Sequence, residues 1–123
     1  MRDEMHAAVE SPFACQMDAI EPDKRQQHVA TAHKVFQAVK SIRELPNGYA
    51  FQLPDEAETL QMVWEFISLE RLCCPFFGFT FEIEPEGRSV WLELTGREGI
   101  KPFIRAEIGE FAGERLTRSG NSL

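Results

Sequence analysis

Two short stretches, Pro46-Asn47-Gly48 and Pro85-Glu86-Gly87-Arg88, constrain this chain more than anything else in it. Each lies between runs in which apolar side chains alternate, and that combination marks a β-hairpin. Ser41 to Leu45 and Tyr49 to Leu53 flank the first, with Tyr49, Phe51 and Leu53 alternating. Phe76 to Glu84 and Ser89 to Thr95 flank the second. There Phe77, Phe79, Phe81 and Ile83 share one side, as do Val90, Leu92 and Leu94. A period of two predicts strands with one buried face.

Helical patterns surround these hairpins. Glu21-Pro22-Asp23 opens a helix, with proline in the first turn and acids at the positive end. Val29, Ala32, His33, Phe36 and Val39 then recur at helical spacing. A second helix is expected over about Asp55 to Leu72, stopped by Pro75, which pushes its predecessor out of helical conformation. A third should run from about Gly99 to Ala112, with Thr95 and Glu98 at capping-box spacing and Ile100, Phe103, Ile104, Ile108 and Phe111 as its stripe. The order α-β-β-α-β-β-α predicts an α+β domain: a four-stranded antiparallel sheet from two hairpins, with about three helices packed mainly on one face.

At 123 residues the chain suits one core and not two. We expect a mobile arm over residues 1–20, from which Cys15, Met17 and Ile20 could dock, a domain over 21–114 and a flexible tail over 115–123. The formal net charge of −7 disfavours nucleic acid and anionic membrane as partners. No apolar stretch is long enough to span a bilayer, and MRDEMHAAVE lacks the apolar core of a secretory signal, so a cytoplasmic location is expected.

The second helix is apolar on two sides. Leu60, Val63, Trp64 and Ile67 form one stripe; Met62, Phe66, Leu69 and Cys73 form another. One stripe should face the sheet. The other needs cover from the first helix, the N-terminal arm, a second copy of the chain or an unknown protein partner. Glu70 falls between the stripes, with Cys73 three and Cys74 four residues on, the spacing of neighbours on a helix. One carboxylate and two thiols should therefore converge near the helix end. A carboxylate on an apolar face needs a partner, and the adjacent Arg71 is a candidate.

Three cysteines, two of them adjacent, suit neither a disulfide scaffold nor a zinc finger. Reduced thiols are soft ligands that select ions such as Cu, Hg or As species. The metal candidates are Cys73 and Cys74, with Cys15 and Glu70 as further ligands or Glu70 as an orienting group, and with Arg71 supporting the thiolate form. Two other readings stand beside this one: core cysteines in an interaction or dimerisation domain, and a thiol redox enzyme. His28 and His33 read as core or surface residues, and His6 lies in the arm.

The segments Glu70-Arg71-Leu72-Cys73-Cys74-Pro75-Phe76-Phe77 and Val90-Trp91-Leu92-Glu93-Leu94-Thr95-Gly96, followed by Glu98-Gly99, resemble an uncharacterised family of small bacterial proteins. That family carries an E-R-x-C-C-P-F segment and a later W-L-x-L-T-G-x-E-G segment. The resemblance covers roughly Gly48 to Phe111, bounded by turn chemistry. It implies a link to heavy-metal resistance and no assigned activity.

Overall fold

The structure, a computed structural model, describes residues 11–112. Three helices, α1 (Pro22–Gln37), α2 (Ala57–Cys73) and α3 (Ile100–Ala112), alternate with β1 (Ser41–Leu45), β2 (Gly48–Leu53), β3 (Gly78–Ile83) and β4 (Val90–Thr95). The architecture is the α+β one expected. The strands form one antiparallel sheet in the order β1-β2-β4-β3, so the two hairpins join through β2 and β4.

Register explains the core. Tyr49 pairs with Leu94, Phe51 with Leu92 and Leu53 with Val90, and all six side chains are buried. Helices cover this face. Phe36 of α1 meets Phe51 and, on α2, Phe66 edge-on at 5.1 and 5.4 Å between ring centres. Such pairs add to the area they bury. Arg105 of α3 donates to the Tyr49 hydroxyl at 2.6 Å. On the opposite face Arg43 lies 4.2 Å over the Trp91 ring. Glycine is required at Gly48, where a Cβ would stand 2.0 Å from the Leu94 carbonyl oxygen.

Three local expectations change. The buried line of α2 is Thr59, Val63, Phe66 and Cys73, steps of four, three and seven, running between the two apolar stripes instead of along either. Trp64, assigned to the first stripe, is 67% exposed, while Leu60, Met62, Ile67 and Leu69 flank the buried line half-covered. A helix apolar on two sides does not announce its inner face, and here α1 packs against α2 and supplies the cover. Finally, Thr95 caps no helix. It ends β4, and its hydroxyl donates to the Gly78 carbonyl at 3.5 Å, because α3 begins only at Ile100.

Of the expected arm, residues 11–20 lie against the domain. A short 3-10 turn, Met17–Ala19, leads to the buried Ile20, whose carbonyl accepts from Arg25 Nε at 2.8 Å. His6 and the tail 115–123 lie outside the described residues. No helix of the described residues is long and apolar enough to cross a membrane.

Candidate metal centre

The last turn of α2 builds the centre. The Cys74 amide donates to the Glu70 carbonyl at 2.8 Å and closes the helix, after which Cys74 turns to φ −129°, ψ 69°. Pro75 demands that departure. On a continuing helix the side chains of adjacent residues diverge by about 100°. With Cys74 outside the helix, the Cys73 and Cys74 sulfurs instead lie 3.8 Å apart, both in buried residues.

The arm brings the third sulfur. The Gln16 amide donates to the Cys73 carbonyl at 2.8 Å, laying residues 15 and 16 across the end of α2. Phe13 anchors the segment among Phe76 and Phe103, with ring centres 5.2 and 5.9 Å away. Arg97 holds it from the other side, donating to the Ser11 carbonyl at 2.6 Å and covering the Phe13 ring at 4.2 Å. The ligand atoms of Cys15, Cys73 and Cys74 consequently lie within 4.8 Å of one another. Cys15 is exposed, so the group has one accessible and two buried thiols.

A second group shares Cys73. His28 of α1 is 3% exposed, and its Nε2 stands 2.7 Å from Oε1 of Glu70, itself 12% exposed. That same oxygen accepts from the Cys73 thiol at 3.6 Å. His28, Glu70 and Cys73 offer ligand atoms within 4.8 Å of one another. The His28 ring stacks on Phe66 at 5.7 Å, and its Nδ1 is buried without a hydrogen-bond partner among the described residues.

The electrostatics follow from this arrangement. The hydrogen bond from Cys74 lowers Cys73 to about 6, helped by His28 and opposed by burial and the Glu70 charge. As the donor to that sulfur, Cys74 is pushed well above the ordinary thiol value, burial and Glu70 adding to the effect. Partial desolvation, with the neighbouring Cys73 and Glu70, raises Cys15 to about 12. For His28, burial opposes the charge, but Cys73 and Glu70 overcome it and lift the ring to about 9. Cys73 is therefore the most acidic of the three thiols, and His28 is the cation of a buried ion pair with Glu70.

The three cysteines form one group, and Glu70 joins Cys73 and His28 in another; whether Cys15 meets the pair could not be read from the sequence. Arg71 is exposed and belongs to neither convergent group. His33 is also exposed, on the outer side of α1. The residue that sequence reasoning passed over is His28. Its signal was present: His28, Ala32, Val35 and Phe36 share one helical face, all four buried. A polar ring on such a face needs a partner as much as Glu70 does, and each supplies the other's. Comparison with protein-family models, with curated proteins and with solved structures finds no match for this chain.

Proposed function

We propose that this protein binds a soft metal or metalloid through Cys15, Cys73 and Cys74, acting as a buffer, handover factor or resistance accessory. The observation that carries the reading is the gathering of three sulfurs, from two distant parts of the chain, within 4.8 Å. Thiolates prefer soft centres, and the surrounding phenylalanines keep water from the bonds that form. Glu70 serves as an orienting group, since its Oε1 is engaged by His28 and Cys73 together. The resemblance to the small bacterial family with an E-R-x-C-C-P-F segment points the same way. Reduced thiols also suit the cytoplasm.

Native mass spectrometry of the reduced protein with Hg(II), Cu(I) or arsenite tests the proposal. A stoichiometric adduct is expected, lost in Cys73→Ser and Cys74→Ser. Absence of any adduct on the folded protein removes it. The burial of Cys73 and Cys74 favours a second reading, in which both are packing residues of an interaction domain. Under that reading the same variants lose about 1–3 kcal/mol of stability and no ligand.

A further inference from the structure

We infer that the ligand class is a neutral trivalent metalloid hydroxide of the arsenite type, taken by all three thiols at once. The inference rests on the metal-binding reading above and narrows it. Its first ground is spacing. With metal–sulfur bonds of about 2.3 Å, a linear two-coordinate ion holds its sulfurs about 4.6 Å apart on opposite sides, whereas three-coordination brings them to about 4 Å or less. Cys73 and Cys74 stand at 3.8 Å, and Cys15 completes a triangle within 4.8 Å. The Cys73–Cys74 separation is shorter than a linear ion allows and suits three-coordination, and the exposed Cys15 gives a small neutral molecule its first contact.

The second ground is charge. Three thiolates around a divalent ion leave one negative charge, and around Cu(I) they leave two. Either would be buried beside the Glu70 carboxylate. Among the described residues His28 is a positive group beside Cys73, and Glu70 already matches it at 2.7 Å. Burying an uncompensated charge is expensive, and Arg71 is exposed to solvent. Trivalent arsenic leaves no charge: As(OH)3 + 3 Cys–SH → As(S–Cys)3 + 3 H2O. Three As–O bonds break and three As–S bonds form. The three thiol protons leave with the three hydroxides as water. Arsenic stays trivalent throughout, so no oxidant or reductant is needed. The neutral product suits Cys73 and Cys74, which belong to an apolar core cluster that includes Phe77.

Arsenite is the probe. The reduced protein should gain the mass of one arsenic less three hydrogens and lose all three titratable thiols. Cys15→Ser, a change at an exposed arm residue, should keep the wild-type circular dichroism spectrum yet weaken arsenite binding by about tenfold or more, through loss of one arm of the chelate. An adduct that retains a hydroxide and only two sulfur bonds overturns the inference. So does a Cys15→Ser protein that binds arsenite as well as wild type. Capture of Hg(II) or Cu(I) on the same cysteines with none of arsenite also overturns it, while leaving the metal-binding reading intact. If none of the three binds, both fall together.

Discussion

Replacing Glu70 by Gln removes one charge from a buried pair and little volume, so its cost can be worked from the site. The folded structure lifts His28 from 6.5 to about 9. Such a lift corresponds to about 3 kcal/mol in favour of the charged ring. Burial works against that lift, so Cys73, whose hydrogen bond is the largest raising cause, and Glu70 together supply more than this; an even division leaves Glu70 about 2 kcal/mol, somewhat less than the usual penalty for breaking a buried ion pair. The sign fixes the pH window. A raised folded value contributes stability that is complete below the unfolded value of 6.5 and is lost as pH rises through about 9. Removing the carboxylate also relieves its repulsion of the Cys73 thiolate, an effect that is complete above about pH 7 and remains when the His28 contribution is lost. Urea unfolding under reducing conditions should therefore find Glu70→Gln destabilised by about 2 kcal/mol near pH 6, with the gap closing or reversing near pH 10. Equal stability at the lower pH, or a gap that widens with pH, would refute the imidazolium–carboxylate pair.

Other consequences are quicker to check. Gly48→Ala places a methyl against the Leu94 carbonyl and should part β2 from β4, which loss of the cooperative thermal transition would report. Phe66→Ala, in the middle of the α2 core line, should cost about 3–5 kcal/mol in urea unfolding, whereas Trp64→Ala, two residues away and exposed, should change stability by only about 0.5 kcal/mol. Cys15 is exposed but held protonated by its neighbours, so in the native protein iodoacetamide should alkylate it more slowly at neutral pH than in the urea-unfolded chain. Equal rates would show that the arm leaves the thiol free.

Much of this protein was settled by short-range chemistry alone. The two turns, the alternation around them and the proline-marked helix limits depend on residues within a few positions of each other, so the order α-β-β-α-β-β-α could be read directly from the chain. The same holds for Glu70, Cys73 and Cys74, which one helical turn and one proline bring together. Folding alone decided which face of α2 turns inward, because both its sides are apolar and only packing against α1 chooses between them. The sheet order, the arrival of Cys15 and the pairing of His28 with Glu70 across 42 residues likewise belong to the tertiary structure. Local periodicity says that a side chain faces inward. Which distant side chain it meets depends on how whole elements close over one core, and that is set by their combined burial.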